Sequence, residues 1–175
     1  MATAPNRLMT FAEFETLPEQ ELRQELRHGE VVDMAPPKHG HYLIQRRLRR
    51  LLEALAGGAG EVDIEFGFRV GEYEYRIPDV AFLSKARWDL IPREGYLEGA
   101  PELVIEILSP SNTAAEIQDK KEICLDNGTV EFWVVDPKRH QVKVSDREGR
   151  INLYKAGQQI SLFFGGSVAV DAIFA

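Results

Sequence analysis

One acidic residue lies inside a strongly apolar segment. Glu106 stands in residues 103–108, and its five neighbours there are apolar. A carboxylate taken out of water must be paired, protonated or bound to a metal ion. On a strand, Val104, Glu106 and Leu108 share one face. Glu106 is therefore either a metal ligand or one half of a buried salt bridge.

A second carboxylate, Asp79, follows Pro78 in a segment that reads as a bent strand. Adjacent strands would bring Asp79 close to Glu106, and two close carboxylates repel each other unless a cation lies between them. A hard cation such as Mg²⁺ takes oxygen ligands and keeps several waters, which leaves room for a phosphate. The pair predicts a site for Mg²⁺ or Mn²⁺. This prediction fails if the carboxylates are too far apart to share an ion.

Lysines follow on the next predicted helix, at Lys120 and Lys121. A lysine near a metal-bound water can orient or deprotonate that water and can stabilise charge on a phosphate. Simple solvent exposure is the alternative for either residue, and position alone does not decide. Cys124, on the same helix, is interpreted as a small core residue rather than a nucleophile.

The predicted helix over residues 41–56 carries a basic strip. The net charge of −7 counts against a protein that coats nucleic acid, but it allows one basic groove beside an acidic remainder. The strip is either a solvated helix face or a phosphate contact. His41 either caps or packs the helix that it begins, or contacts phosphate. The arginines of the strip are Arg46, Arg47, Arg49 and Arg50.

Local patterns predict a mixed α/β fold in which a sheet is flanked by helices. Capping boxes at Thr10 and Thr113 each start a helix, the second reaching about Asn127. A tight turn is expected at His28-Gly29, and Pro78 should place its strand at an edge or bend it. The predicted strands cover residues 62–70, 73–83, 103–108, 130–136, 141–145 and 151–154.

Bulk properties favour one domain over residues 1–175, because the length suits one core and no linker or repeat is visible. No apolar run approaches the roughly 18 residues of a membrane span. Residues 1–5 lack the charged and apolar parts of a signal peptide. With one cysteine, the expected compartment is a reducing cytoplasm.

Several motifs together resemble the Uma2-like family, also known as the DUF820 proteins, within the PD-(D/E)XK nuclease superfamily. The resemblance covers residues 10–174. The stretches that carry it are residues 24–30, residues 34–37 with His41, residues 78–80, residues 101–111 with Lys120 to Gly128, and residues 131–137.

The resemblance implies a restriction-endonuclease-like core and a metal-dependent phosphodiesterase site. Asp79 and Glu106 match the superfamily's two acidic positions. Leu108 stands where a lysine is usual, and a lysine of the following helix, here Lys120, is thought to substitute. Glu25 matches a glutamate that often completes such sites.

Two departures from the family pattern lie on the helix that carries Lys120. Glu116 replaces a usual aspartate and Cys124 replaces a usual tyrosine. Neither change removes a proposed ligand.

The first functional hypothesis is a divalent-metal-dependent endonuclease. Asp79, Glu106 and the carbonyl of Ile107 would ligate the metal, Lys120 would orient the attacking water, and Glu25 would hold a metal-bound water or a second ion. The expected substrate is nucleic acid, with DNA preferred, and no membrane is involved. The residues expected to contact the nucleic acid are Arg46, Arg50 and His41.

Two further hypotheses remain open. A catalytically inactive nuclease fold could serve as a binding or assembly module, which the acidic net charge and the missing in-strand lysine favour. Alternatively, Asp79 and Glu106 form a structural ion-pair network with arginines such as Arg47. The apolar residues 162–164 and 173–174 either form the interface of a homodimer or higher homo-oligomer, or close the core.

Overall fold

The computed structural model describes residues 7–175, so residues 1–5, where no signal peptide is expected, lie outside the described part. The helices are α1 (Phe11–Phe14), α2 (His39–Ala56), α3 (Lys85–Trp88), α4 (Ala114–Asp126) and α5 (Val170–Phe174), with a 3₁₀ turn at Gly57–Ala59. The strands are β1 (Gln24–Arg27), β2 (Glu30–Asp33), β3 (Gly60–Ile64), β4 (Phe68–Val70), β5 (Glu74–Arg76), β6 (Val80–Ser84), β7 (Leu97–Glu98), β8 (Leu103–Ile107), β9 (Glu131–Asp136), β10 (Gln141–Asp146), β11 (Ile151–Tyr154), β12 (Gln159–Ser161) and β13 (Ser167–Ala169).

The larger sheet has six strands in the order β11-β10-β9-β8-β6-β3. The central strand β8 is parallel to β9 and antiparallel to β6. Alternate residues of β8 face opposite sides. Ile105 joins the core that Leu48 of α2 helps to form, whereas Val104 joins the core that contains Cys124 of α4. Glu106 shares the face of Val104, which directs its side chain toward α4.

Helix α2 is held by its apolar stripe. Ile44, Leu48 and Leu52 are all buried in the main core. Fully burying one such side chain stabilises a protein by about 1.5–3 kcal/mol. The stripe therefore fixes which face of α2 meets the sheet, and it sets the position of the polar residues beside it.

A second sheet has five strands in the order β2-β1-β5-β4-β7. Its β1–β2 hairpin confirms the predicted turn, since His28 and Gly29 both have positive φ, at 49° and 77°. Strands β12 and β13 form a separate two-stranded sheet. The mixed α/β prediction is borne out, although the strands are divided among three sheets.

Two predicted strands were wrong as continuous units. Residues 62–70 and 73–83 each divide between the two larger sheets, because β3 and β6 belong to the six-stranded sheet and β4 and β5 to the five-stranded one. The first break includes Glu65 at φ 55° and Gly67, where a Cβ would lie 2.1 Å from the Tyr75 hydroxyl. The second break contains Pro78. Since β6 is an interior strand, the bend predicted at Pro78 is confirmed and the edge position is wrong.

The sequence signals for the first residues of helices were more reliable than the strand patterns. Both capping boxes are present, at Thr10 with Glu13 and at Thr113 with Glu116. Helix α2 begins two residues before the predicted His41. The local sequence pattern did not predict α3, β7, β12, β13 or α5.

The C-terminal apolar segment mainly closes the core. Leu162 and Ile173 are buried, Phe164 and Phe174 pack against the main core, and Phe163 is 41% exposed. Of the two interpretations of this segment, core closure is the one that the packing supports. In residues 7–175, the helices are all too short or too polar to span a bilayer.

The close approach of β3 to β6 depends on Gly60, which pairs with Ser84. A Cβ at Gly60 would lie 2.2 Å from the Leu83 carbonyl oxygen, and backbone cannot easily give way. We expect Gly60→Ala to lower the free energy of unfolding in urea by about 1–3 kcal/mol, the usual range for overpacking. Gly40→Ala is the matched control, because nothing lies within 4 Å of that position in α2, and it should be neutral or stabilising. Equal effects of the two substitutions would contradict this account of the strand contact.

Candidate active site

Asp79 and Glu106 are brought together where the β6–β8 ladder ends. Val80 pairs with Ile105, and the next residues toward this end of the sheet carry the two carboxylates. The Asp79 N–H donates to Glu106 Oε1 at 3.4 Å, and the Ile107 N–H donates to Asp79 Oδ2 at 2.7 Å. The backbone pairing of β6 with β8 ends at Val80 and Ile105. Beyond it, the Ile107 N–H bonds to the Asp79 side chain and not to the backbone of a neighbouring strand. These two hydrogen bonds tie each carboxylate to the backbone of the other residue's segment.

Lys120 of α4 points into this cluster. Its Nζ lies 2.8 Å from Glu106 Oε1 and 3.2 Å from Glu25 Oε1, and it donates to the Ile77 carbonyl at 2.7 Å. An ammonium group has three donors, and all three have acceptors. The alternative that Lys120 is simply exposed to solvent is therefore wrong, since its exposed fraction is only 6%.

Glu25, on β1, has no measurable exposure. Its Oε1 also accepts the Ile77 N–H at 2.7 Å, and its Oε2 accepts from Arg27 at 2.7 Å. Both oxygens are thus engaged within the protein. This arrangement favours a role in positioning Lys120 over the expected role of holding a second ion or its water.

Two residues of α2 orient Asp79. His41 Nε2 lies 2.9 Å from Asp79 Oδ1, and the Gln45 amide donates to the same oxygen at 3.1 Å. The capping role expected for His41 is wrong, since the N-cap is Lys38 and makes no side-chain cap bond.

Gln45 was missed in the sequence analysis. The one indication in the sequence was its position, since Gln45 is a polar residue that lies four positions after His41 and beside the apolar stripe of α2. Gln45 is fully buried, and its Oε1 has no hydrogen-bond partner among the described residues. The orientation of the amide is set by Asp79, which accepts from its nitrogen.

Burial and charge shift the pKa values in this cluster. Burial raises the pKa of Glu106 to about 7, the charge of Lys120 opposes the shift, and the charge of Asp79 adds to it. Burial alone would lower the pKa of Lys120, but Glu106 and Glu25 raise it overall. Burial would raise the pKa of Glu25, but Lys120 and Arg27 lower it. Lys120 therefore stays charged, and Glu106 is the carboxyl whose ionisation a nearby cation would most favour.

His41 is shifted in the direction of its charged form. Burial alone would lower the pKa of His41, but the hydrogen bond to Asp79 and the charges of Asp79 and Glu106 raise it overall. A protonated imidazole here donates to the Asp79 carboxylate and adds positive charge to the rim of the site.

The donor set fits a hard divalent cation. Residues 7–175 contain no group of three or more His, Cys, Asp and Glu side chains arranged to hold a metal, so a bound ion would depend on the two carboxylates, a backbone carbonyl and water. Mg²⁺ is commonly bound through one or two carboxylates in this way. Among the described residues, the hydrogen bonds and ion pairs of Glu106 all involve Oε1, which leaves Oε2 for a ligand. The side chains of Asp79 and Glu106 are 18% and 10% exposed.

The arginines of α2 divide into two pairs. Arg47 donates to the Ile173 carbonyl at 3.1 Å, and Arg49 contacts Glu53 and Asp63. Arg46 and Arg50 are exposed, and Arg46 lies over the Tyr42 ring at 5.7 Å. Within the described residues the cation paired with Glu106 is Lys120 and not an arginine. The arginine network of the third hypothesis is therefore absent from this part of the chain.

A second buried ion cluster anchors α4 and was also missed. Buried Arg76 of β5 donates to Glu74 at 2.7 Å and to Asp119 at 2.8 Å. Asp119 also contacts His28 in the β1–β2 turn at 2.7 Å. Because Asp119 directly precedes Lys120, this cluster fixes the helix turn that carries the lysine.

Cys124 has the structural role that the sequence indicated. It has no measurable exposure, and burial raises the pKa of its thiol to about 12. A thiol that stays protonated is a poor nucleophile, so Cys124 contributes to the packing of α4 and not to the chemistry of the carboxylate cluster.

Comparisons with known proteins identify the family and the fold. The model of the Uma2 family, described as "Putative restriction endonuclease", matches residues 11–169. A crystal structure from Anabaena variabilis ATCC 29413, of "a putative nuclease belonging to DUF820", is similar with a TM-score of 0.84 and 22% identity, covering 95% of this chain and 97% of that one. At this identity the likeness concerns the fold, and it bears out the restriction-endonuclease-like core. A search of curated proteins found no match.

Removing the charge of Lys120 tests the buried ion cluster. We expect Lys120→Met to lower the free energy of unfolding by about 3–5 kcal/mol at pH 8, since Glu106 and Glu25 then lack their shared cation. Glu106 has a folded-state pKa raised above its ordinary 4.5, so its contribution is stabilising at low pH and is lost as the pH rises through about 7. The loss should therefore be smaller at pH 5, where Glu106 is protonated.

The matched control is Lys121→Met, one residue along α4 and partly exposed. Chemical denaturation at both pH values should show a change within about 0.5 kcal/mol for this variant. The same loss for both lysines, or a loss for Lys120→Met that does not grow with pH, would contradict the described cluster.

Proposed function

We propose, since the chain belongs to the Uma2 family, that it is a nuclease that hydrolyses phosphodiester bonds in nucleic acid with the help of a divalent cation, with DNA as its substrate. One observation carries the proposal. The carboxylates of Asp79 and Glu106 interlock at the end of two adjacent strands, and Lys120 reaches the same point from α4. Buried ionisable groups of opposite charge, partly open to solvent, are typical of catalytic sites.

The ligands proposed for Mg²⁺ or Mn²⁺ are Asp79, Glu106 Oε2 and the carbonyl of Ile107. When bound, the ion supplies a Lewis acid that lowers the pKa of a water and neutralises charge on the scissile phosphate. The raised pKa of Glu106 is consistent with this role, because an added positive charge there favours the ionised carboxylate.

Lys120 has a more specific role than the sequence suggested. Because its pKa is raised, it acts as a charged donor and not as a general base. Its ammonium group stabilises negative charge that develops on the phosphate, or orients the attacking water. Glu25 and the Ile77 carbonyl, together with Glu106, hold the group in position.

The remaining residues bind and orient. His41 keeps the Asp79 carboxylate in one rotamer and adds positive charge near the phosphate. Arg46 and Arg50, exposed one helical turn apart on α2, supply the phosphate contacts that position a strand. An inactive binding module is the less favoured alternative, because Lys120 points at the carboxylates and not away from them.

Cleavage assays with charge-removing variants test the proposal. We expect the wild type to cut plasmid DNA or a single-stranded oligonucleotide with Mg²⁺ or Mn²⁺, and not with a chelator. Asp79→Asn, Glu106→Gln and Lys120→Met should each lower the rate about 100-fold or more, as removal of one charge-stabilising group typically does. Lys121→Met should keep the wild-type rate. Metal-independent cleavage, or cleavage that survives both carboxylate substitutions, would overturn the proposal, and so would failure of the wild type to cut either substrate.

The exposed arginines of α2 make a separate prediction about binding. Each phosphate contact to duplex DNA changes the slope of the logarithm of the binding constant, plotted against the logarithm of the salt concentration, by about 0.9. The double variant Arg46→Ala/Arg50→Ala should therefore bind duplex DNA more weakly and flatten this slope by up to about 2, as measured by fluorescence anisotropy. Arg49→Ala is the control, since Arg49 is already paired with Glu53 and Asp63. An unchanged slope in the double variant would show that this strip is only a solvated face.

A further inference from the structure

A cleft of about 660 Å³ lies beside the candidate site, at the point where the chain passes between the two larger sheets. This volume is within the usual range for small-molecule pockets, roughly 300–1,000 Å³. Its lining is rich in aromatic side chains, which come from separate segments of the chain. The aromatic residues are Phe66, Tyr75, Trp88 and Tyr96.

The cleft and the carboxylates are joined by one residue. Glu65 lines the cleft, and its backbone N–H donates to the Asp79 backbone oxygen at 3.3 Å. Tyr75 also lines the cleft. It lies two residues before Ile77 in the chain, and the Ile77 carbonyl accepts a hydrogen bond from Lys120. The cleft therefore lies next to the backbone of the segment that carries Asp79.

The aromatic rings of the lining pack against one another and are each at least partly exposed. Phe66 and Trp88 have ring centroids 5.3 Å apart, and Tyr96 packs edge-on against Tyr75 while remaining 40% exposed. Every nucleobase offers a flat face that stacks on such rings regardless of sequence. Arg93, also on the lining, is exposed and has no ion-pair partner in the part of the chain that the structure describes. It adds a cation that can stack on a base or contact phosphate.

We propose that this cleft holds one unpaired nucleobase of the substrate, next to the scissile phosphate, so that the nuclease acts on single-stranded nucleic acid or on a base turned out of a duplex. The inference rests on the proposed function, because it places the phosphate at Asp79 and Glu106. A base inside an intact duplex cannot enter a pocket, since its faces are covered by its neighbours.

The neighbouring surface limits the cleft to one base. A smaller depression of about 350 Å³ shares Tyr75 and Tyr96 with it, but its lining carries the carboxylates of Glu15, Glu19 and Glu21 against the one cation of Arg23. These carboxylates would repel the next phosphate of a strand, so the nucleic acid leaves the cleft in another direction.

Tryptophan fluorescence reports on the cleft directly. The chain has two tryptophans, and Trp133 is fully buried whereas Trp88 lines the cleft and is partly exposed. Acrylamide quenching therefore reports mainly on Trp88. The wild type would be titrated with a short oligothymidylate, with the same backbone lacking bases, and with a blunt duplex, once with a chelator and once with Ca²⁺.

The expected result is a preference for unpaired bases. The oligothymidylate should protect Trp88 from acrylamide and bind about five-fold to a hundred-fold more tightly than the abasic strand, which is the range for stacking of one base. The blunt duplex should leave the Trp88 quenching unchanged. Equal affinity for the abasic and base-containing strands would overturn the inference and leave the proposed function intact. If neither strand nor duplex binds in either condition, the inference and the proposed function both fail.

Variants of one tyrosine separate stacking from folding. Tyr96→Ala should remove most of the preference for bases and leave abasic binding unchanged, and Tyr96→Phe, which keeps the ring, should restore it. Tyr73→Ala is the matched control, because Tyr73 has the same 40% exposure and lies outside the cleft. If Tyr96→Ala fails to fold, Trp88→Leu tests the other aromatic pair of the lining, that of Phe66 and Trp88, with binding followed by the anisotropy of a labelled strand because this variant lacks the reporter tryptophan. A preference that survives loss of the Tyr96 or Trp88 ring would overturn the assignment of the cleft.

Discussion

The buried contact of Lys120 with Glu106 and Glu25 is the interaction on which this structure most depends. The two carboxylates come from different sheets, and the lysine comes from a helix packed on the larger one. A charge in a protein interior has to be neutralised at close range, so each partner fixes the position of the other two. Burial is the main cause of the raised pKa of Glu106, and the negative charge of Asp79 adds to it. A divalent cation at Asp79 and Glu106 would lower that pKa.

The same contact explains why the strand needs no lysine after its glutamate. Leu108 would share the face of Glu106, and α4 covers that face. The ammonium group of a lysine on α4 therefore reaches Glu106 on the face of the sheet that a lysine at position 108 would share. The second ion cluster, Arg76 with Glu74 and Asp119, holds this part of α4 against the smaller sheet.

Features with a local cause could be predicted from the sequence. The capping boxes at Thr10 and Thr113 and the turn at His28 depend on neighbours a few residues away, and Glu106 is conspicuous within its apolar strand. The division of strands between sheets could not be predicted, because apolar alternation continues through residues 65–67 and 77–79. Gln45 and the aromatic cleft depend on contacts between segments distant in sequence. Tertiary packing decides such features, and a local pattern contains no record of it.

The most direct measurement is an anomalous difference map from a crystal of the protein soaked in Mn²⁺. We predict one strong peak within about 2.0–2.6 Å of oxygens from both Asp79 and Glu106, with Lys120 still in contact with Glu25. A peak within this distance of only one of the two carboxylates would contradict the proposal that Asp79 and Glu106 share one ion. A map with no peak at Asp79 and Glu106 would contradict the central claim and leave their cluster with Lys120 as a structural ion network.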